Sequence, residues 1–198
     1  TDHRPGAGMI GSNYVTLADS VYAVFDREIL RLDAASGETL SRFALPAGEG
    51  DKSPRFGYLG VHGDCLVATA DPVAVGTEGF EADQRFASAG RILVVMDRHT
   101  GEVLWSRRAR YNFRHNNIAL AAGKVFCIDG LSPRKQARWA RWHDEAKRES
   151  DEQPGGSPDG DGYRPRLLAL DLRTGEELWS VEDDVFGTFL NYSDEHDV

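Results

Sequence analysis

Three segments of this chain repeat one pattern, and that repeat limits the possible folds more than any other feature of the sequence. The segments align without gaps: ILRLDAASGETLS from Ile29, LVVMDRHTGEVLW from Leu93 and LLALDLRTGEELW from Leu167. Each contains an apolar run, an Asp, three further residues, Gly-Glu, and a Leu three positions after the Gly. Repetition of this kind is typical of proteins assembled from copies of one small structural unit.

The spacing from Asp to Gly predicts a tight hairpin in each repeat. An Asp side chain can accept hydrogen bonds from backbone amides just after it, and the Ser or Thr before the Gly can add another. The Gly then supplies the positive φ that reverses the chain. The flanking apolar runs are too short for helices and read as strands. The hairpin anchors are Asp33 and Gly37, Asp97 and Gly101, and Asp171 and Gly175.

A second pair of strand-like runs precedes each hairpin. The pairs are YVTLA and VYAVF, GYLGV and CLVATA, and NIALA and KVFCID, each pair joined by a short turn. Four antiparallel strands in a repeated unit are the pattern of a propeller blade. The sequence therefore predicts an all-β fold, a partial β-propeller of about three four-stranded antiparallel blades with the start of a fourth.

The whole chain, residues 1–198, is expected to form this one partial propeller. Its blades are predicted at about residues 12–46, 56–109 and 116–182, and the next blade begins within about 185–198. Successive hairpin aspartates lie further apart than the roughly 40–50 residues of common propeller repeats. The excess falls into insertions between second and third strands, at about 71–89 and about 131–165.

The second insertion, near 131–165, is predicted to be part helix and part loop. PRKQARWARWHDEAKRES contains good helix formers, with Trp139 and Trp142 three residues apart on one face. The stretch DEQPGGSPDGDGY that follows reads as loop. The helix either covers the top of the propeller or acts as a lid or partner-binding element.

The third repeat resembles the tryptophan-docking motif of the quinoprotein-type, or PQQ-like, β-propeller repeat family. The residues that carry this resemblance are Ala169, Asp171, Thr174, Gly175 and Trp179. The second repeat matches at Asp97, Thr100, Gly101 and Trp105, whereas the first has Ser41 in the Trp position. The resemblance implies that Trp105 and Trp179 pack against neighbouring blades, are largely buried and are structural.

A narrower resemblance concerns the segments between blades. TDHRPGAGMIGSNY, FRHNNIAL and DVFGTFLNYSDEHDV are similar to a large group of bacterial PQQ-like propellers, some of which are fused to a methyltransferase domain. The family resemblance leaves the compartment open and slightly favours an extracytoplasmic one. We interpret both chain ends as fragment boundaries, so the rest of a larger polypeptide, or copies of this chain, would complete the propeller.

Charge, hydropathy and cysteine usage exclude several classes of function. A net charge of −9 argues against nucleic acid as a partner. No apolar run approaches the length of a membrane span. Cys65 and Cys127 fit no zinc pattern and are expected to be buried free thiols, with a disulfide left open.

No cofactor is expected, PQQ included, because the chain shares only the docking motif with true quinoprotein dehydrogenases. Those enzymes hold the quinone against a ring formed by vicinal cysteines and bind calcium through acidic and amide side chains. Neither set is recognisable in this sequence. No metal site is predicted, since SPDGDG around Asp159 and Asp161 lacks the later ligands of a calcium loop.

The candidate ligand-binding residues lie in the links between blades. In the geometry that the resemblance implies, these links and both insertions open around one mouth of the central channel. The candidates are His3, Arg4, Asn13, Arg55, Arg114, His115, Asn116 and Asn117. Amide and guanidinium groups suit recognition of carboxylate, sugar or backbone. The structural alternative is that they bond neighbouring blades.

These features predict a non-catalytic binding or scaffolding propeller that recognises a small ligand, a carbohydrate or a protein partner at this mouth. No catalytic residue is identified, because no nucleophile or paired base accompanies His115. The alternative is a lyase- or hydrolase-like enzyme that uses Arg114 and His115. A PQQ-dependent oxidoreductase is a third, less favoured interpretation.

Overall fold

The computed structural model describes residues 13–47, 53–73, 89–130, 165–183, 185 and 190–193, and all regular structure within these ranges is β-strand. The strands are β1 (Tyr14–Thr16), β2 (Ser20–Phe25), β3 (Glu28–Asp33), β4 (Thr39–Ala44), β5 (Phe56–His62), β6 (Cys65–Val73), β7 (Ala89–Asp97), β8 (Val103–Ala121), β9 (Lys124–Asp129), β10 (Arg166–Asp171) and β11 (Glu177–Val181). The described residues include no helix able to cross a membrane. The helix predicted within 131–165 lies outside the described residues, as does most of the insertion at 71–89.

The strands form two antiparallel sheets, which confirms the all-β propeller prediction. One sheet has the order β1-β2-β3-β4, and the other runs β11-β10-β9-β8-β7-β6-β5. The first sheet is blade 1. The second sheet contains blade 2, made of β5, β6, β7 and the first half of β8, and blade 3, made of the second half of β8 with β9, β10 and β11.

One continuous strand, β8, joins blades 2 and 3 where the sequence predicted a break between about residues 109 and 116. Its pairing with β7 is irregular between Gly90 and Ile92, and its pairing with β9 is irregular between Phe113 and Ile118. The strand therefore bends as it passes from the outside of one blade to the inside of the next. A buried bend needs partners for its displaced backbone amides, and β9 supplies one at Asp129.

The three Asp hairpins share one hydrogen-bond pattern, as the repeat predicts. Each Asp Oδ1 accepts from the backbone N–H two residues on at 2.9–3.0 Å and from the next at 2.7–2.8 Å. The Ser or Thr at that second position also donates its hydroxyl to the carboxylate. Gly37, Gly101 and Gly175 have φ values of 74°, 77° and 73°. The backbone bond from the Ser or Thr is the main cause that lowers the pKa of each Asp.

Blade 2 is buried on both faces. Successive side chains of a strand point to opposite faces, so β6 and β7 contribute to two separate cores. The core between blades 1 and 2 contains Tyr22, Ile29, Phe43, Leu45, Phe56, Leu59, Leu66, Ala68, Ala70, Val94 and Met96. The core between blades 2 and 3 contains Cys65, Val67, Leu93, Val95, Phe113, Ile118, Val125, Cys127, Leu168, Leu170 and Leu172. Burial on both faces explains the unbroken apolar runs in the sequence of this blade.

Blade 2 docks on blade 3 through Trp105. The indole Nε1 donates a hydrogen bond to the backbone carbonyl of Leu172 at 2.9 Å. Its ring lies directly against Gly175, where an added Cβ would stand 2.6 Å from Cδ2 of the indole. Glycine at this position therefore serves both the positive φ of the hairpin and the close approach of the aromatic ring.

Blade 1 docks on blade 2 by the same two contacts, made by two residues instead of one. The ring of Phe43 lies against Gly101. The hydroxyl of Tyr22 donates to the carbonyl of Arg98 at 2.9 Å, and Arg98 follows its hairpin Asp as Leu172 follows Asp171. The first repeat has Ser41 in the position of the docking Trp, and Phe43 and Tyr22 together make the contacts that this Trp makes in the second repeat.

Register explains why these two residues can reach the same receptor. Phe43 lies two positions after Ser41 on β4, so both side chains share one face of the blade. Tyr22 is opposite Arg31 on β3, and Arg31 is opposite Ser41. The small side chain of Ser41 leaves room for Tyr22 from the same cross-strand row.

The structure places Trp179 differently from the expectation that it is largely buried, because it is 43% exposed. Its ring centroid lies 6.0 Å from that of Phe126, which in turn stacks on Tyr192 at 5.4 Å. The described residues of the chain contain no following hairpin that could receive this indole. Trp179 therefore stands on the outer face of blade 3, in the position that Trp105 has on blade 2.

An ion-pair network joins the outer strands of blades 2 and 3. Arg107 of β8 donates to Glu177 of β11 at 2.6 Å, and Arg166 of β10 donates to the same carboxylate at 2.8 Å. The hydrogen bond from Arg107 is the main cause that holds the pKa of Glu177 below its usual value. The stability of this junction therefore depends on the ionisation of Glu177.

Replacement of Phe43 by Ala is expected to lower the free energy of unfolding by about 3–5 kcal/mol, the usual range for a buried Phe. The loss should appear in urea melts of the full chain. The matched control is Leu40→Ala on the same strand, where Leu40 is exposed and the change should stay within about 0.5 kcal/mol. A loss below about 1 kcal/mol for Phe43→Ala would show that this ring does not dock blade 1 on blade 2.

The contribution of Glu177 is expected to depend on pH in a defined direction. A carboxyl group with a depressed folded pKa stabilises fully above its unfolded pKa, about 4.3 for Glu, and loses this effect as pH falls through the folded value. The difference in unfolding free energy between the wild type and Glu177→Gln should therefore be largest at pH 6–7 and shrink below about pH 4.3. Glu176→Gln, on the same hairpin, provides the control. A pH-independent difference would contradict the ion-pair role.

Candidate functional site

Three equivalent hydrogen bonds define one face of the blades. The N–H of Val24 donates to the carbonyl of Asn13 at 2.9 Å, that of Asp71 to Arg55 at 3.0 Å, and that of Gly130 to Asn112 at 2.9 Å. Each bond joins the start of a first strand to the end of a second strand. We call this the mouth face, because the links between blades and between second and third strands leave there. The Asp hairpins lie at the opposite, hairpin face.

His115 is buried, only 3% exposed, and bonded to the neighbouring blade. Its Nε2 lies 2.9 Å from the hydroxyl of Thr69 on β6, and this hydroxyl also accepts from the N–H of Tyr58 at 2.9 Å. The backbone of Gly57 closes on the ring, since an added Cβ there would lie 2.7 Å from its Cε1. His115 of blade 3 is thus wedged into blade 2, as the structural alternative describes.

Tyr58 completes the environment of this histidine. Its ring centroid lies 6.3 Å from that of His115, and its hydroxyl lies over Gly60, 2.5 Å from where a Cβ would be. Burial raises the pKa of Tyr58 to about 12. The phenol therefore stays protonated at neutral pH and is unsuited to act as a general base there.

Arg114 and Asn117 flank this contact on the same bend of β8. Among the described residues, no acceptor bonds the buried Nε of Arg114 and no donor bonds the buried Oδ1 of Asn117. Burial lowers the pKa of Arg114, and Asn117 is 2% exposed. Asn116 contributes its backbone carbonyl, which accepts from the N–H of Leu190 at 3.0 Å.

The structure gives fewer contacts for the remaining predicted site residues. The Nε of Arg55 lies 3.3 Å from the carboxylate of Asp26 in blade 1, and Arg55 stands two residues before Gly57. Asn13 lies at the start of β1 on the mouth face. His3 and Arg4 fall outside the described residues. The structure therefore brings Arg55 and the segment 114–117 to one region of the mouth face.

The described residues do not fit the quinone that the resemblance raises. Cys65 and Cys127 are buried free thiols, as predicted, and both lie in the core between blades 2 and 3. They stand on different strands, so they offer no vicinal ring. Burial raises the pKa of Cys127 to about 12, which keeps this thiol protonated. The described part of the chain contains no group of three metal-ligating side chains.

Two residues that position the site were not identified from the sequence. Thr69 fixes His115, and the carboxylate of Asp129 accepts from the N–H groups of Arg110 and Tyr111 at 2.7 and 3.2 Å. These bonds pin the bend of β8 immediately before the segment 114–117. Two sequence features could have identified them: Thr69 is the one hydroxyl residue in the apolar run CLVATA, and Asp129 ends the strand KVFCID.

Comparison with known proteins agrees with this architecture. The family model described as outer membrane protein assembly factor BamB matches residues 26–191. The quinohemoprotein alcohol dehydrogenase from Comamonas testosteroni aligns with a TM-score of 0.50 at 14% identity, over 88% of this chain and 27% of that one. BamB from Moraxella catarrhalis aligns with a TM-score of 0.42 at 19% identity, over 86% of this chain and 37% of that one.

These alignments concern the fold alone, because the sequence identities are low. The chain spans 37% and 27% of the lengths of the BamB and dehydrogenase structures, respectively. No curated protein matches the chain significantly in sequence.

Asp129→Ala is expected to release the bend of β8. The change leaves two backbone amides without their carboxylate partner, and hydrogen bonds to charged groups contribute about 1.5–3 kcal/mol each. The unfolding free energy should fall by at least about 2 kcal/mol, and hydrogen exchange of the amides of Arg110 and Tyr111 should accelerate beyond the global change. Asp129→Asn keeps one acceptor oxygen and should retain part of both effects. Unchanged exchange at these two amides in Asp129→Ala would contradict the pinning role.

Proposed function

Because this chain belongs to the PQQ-like propeller family described as outer membrane protein assembly factor BamB, we propose that it is a non-catalytic binding platform whose mouth face recognises a protein partner. The observation that supports the proposal is that two adjacent residues on the bend of β8, Arg114 and His115, have different surroundings. His115 is engaged with Thr69 inside the blade contact, while Arg114 beside it has no described partner for its Nε. The segment therefore offers Arg114 as a recognition group, while its histidine is held in the blade contact.

The enzyme alternative is less well supported by these groups. A general base must reach a substrate proton and titrate near the working pH. His115 is buried against Gly57 and bonded to Thr69, and the pKa values of Tyr58 and Cys127 are both raised to about 12. We therefore assign Arg114 to binding and His115 to positioning.

We also propose that the platform works without a cofactor and in an extracytoplasmic compartment. The core location of Cys65 and Cys127 supports the first point. The description of the matching family as an outer membrane protein assembly factor supports the second.

The proposed platform is part of a larger ring. On the outer face of blade 3, Trp179 and Val181 are exposed, and the ring of Phe126 lies tilted beside that of Trp179. Trp179 occupies on this blade the position from which Trp105 docks. An exposed apolar sheet face invites association, and further blades of a larger polypeptide, or copies of this chain, would cover it.

To test the platform, Arg91, which lies near the mouth face, is replaced by a photo-crosslinking amino acid. The crosslinking is then carried out in the host cell. Arg91 is 54% exposed, so the replacement should not disturb the fold. We expect one protein to be crosslinked and then to bind the purified chain in a defined stoichiometry.

The matched control places the same amino acid at Arg173, which is exposed on the hairpin face. Crosslinking from Arg173 and not from Arg91 would move the binding surface to the other face. Turnover of any substrate that His115→Ala abolishes without loss of affinity would support the enzyme instead.

A further inference from the structure

The positive charge of Arg114 is partly buried, and no carboxylate among the described residues lies close enough to pair with it. Its backbone pairs with that of Ala89, which is fully buried, at the edge where blades 2 and 3 meet. Burial is the cause that lowers its pKa, and within the described residues no carboxylate offsets that burial. A partly desolvated charge without a partner is unfavourable, and an anion placed beside it would remove the penalty.

The other arginines of this region make the contrast clear. Arg107, Arg108 and Arg110 lie on the same strand as Arg114, and each has a carboxylate within 4 Å. Arg55, on the neighbouring first strand, faces Asp26 at 3.3 Å. Arg114 alone among these five described arginines has no carboxylate within 4 Å among the described residues, so the position is set apart by its surroundings and not by its residue type.

Asn117 adds an acceptor three residues further along the bend. The residue is 2% exposed, and its Oδ1 bonds no donor within the described part of the chain. A buried amide oxygen gains free energy when it meets an N–H or O–H donor. The bend thus carries one group that requires an anion and one that requires a donor.

We propose that Arg114 is the anchor of a carboxylate subsite for a polypeptide, with the guanidinium binding the carboxylate and Asn117 favouring an adjacent donor. The inference rests on the proposed function, because it names the chemistry by which the mouth face would recognise its protein partner. A planar guanidinium matches a carboxylate in a bidentate fork. A peptide offers that carboxylate together with N–H donors, whereas a bare inorganic anion offers no donor to the amide oxygen.

The carboxylate has two possible sources, an acidic side chain or a chain terminus. Three short peptides distinguish them: one with a central Glu and both ends blocked, the same peptide with Gln, and the Gln peptide with a free terminal carboxylate. Each is titrated into the full chain while the side-chain Nε–H resonance of Arg114 is followed by NMR. This measurement is made on the wild-type protein, so it does not depend on a variant that folds.

We expect the Arg114 resonance to shift saturably with the Glu peptide or with the free-terminus peptide, and at least 10-fold more weakly with the blocked Gln peptide. Arg114→Gln should weaken binding of the effective peptide at least 10-fold, and Arg114→Lys should do so less. The matched control is Arg108→Gln on the same strand, where Arg108 is exposed and lies 3.9 Å from Asp71. This control should leave the affinity unchanged.

Two results would overturn the subsite. One is the absence of any shift at Arg114 with all three peptides, and the other is inorganic phosphate binding as tightly as the best peptide. Either result would leave the crosslinking test at Arg91 unaffected, so the failure of the subsite and the failure of the platform can be told apart.

Discussion

The contact on which this structure depends is an aromatic ring seated on the glycine of the next blade's hairpin. A single four-stranded blade has two apolar faces and cannot bury both by itself, so each blade needs a neighbour. Trp105 makes this contact between blades 2 and 3, and Phe43 makes it between blades 1 and 2. The ring removes apolar area from water, and each contact also contains a hydrogen bond to the carbonyl just after the hairpin Asp, donated by Trp105 itself or, between blades 1 and 2, by Tyr22.

The hairpin itself is built as the receptor for that ring. The carboxylate of the Asp collects two backbone amides and one hydroxyl, which turns the chain tightly and leaves the following glycine with positive φ. Without a side chain at Gly175, the hairpin presents bare backbone to the indole. The repeated Asp and Gly therefore serve docking as much as chain reversal, and a substitution at either would weaken the contact with the neighbouring blade.

The sequence alone predicts those parts of the structure that local chemistry decides. The spacing from Asp33 to Gly37 identified its hairpin because the bonds that form it lie within five residues. Tyr22 replaces part of a missing Trp by donating a hydrogen bond to the carbonyl of Arg98 in the next blade, and Thr69 meets His115 from another blade. Contacts of that kind depend on register and on the packing of blades, which no local spacing encodes. The continuous strand β8 was missed for a related reason, because its bend is stabilised by Asp129 on the next strand.

On the mouth face, the side chain that holds the blades together differs from the one that is proposed to bind a partner. Docking occupies the hairpin face, where Arg98 also bonds Asp19 of blade 1 at 2.9 Å. On the mouth face, the bend of β8 places His115 against blade 2. A bend that turns one residue into the blade contact must turn its neighbours elsewhere, since adjacent side chains on an extended chain diverge. The conformation that makes His115 structural leaves Arg114 partly desolvated and, among the described residues, without a carboxylate partner. The fixing of the blades and the proposed anion site are thus two consequences of one bend.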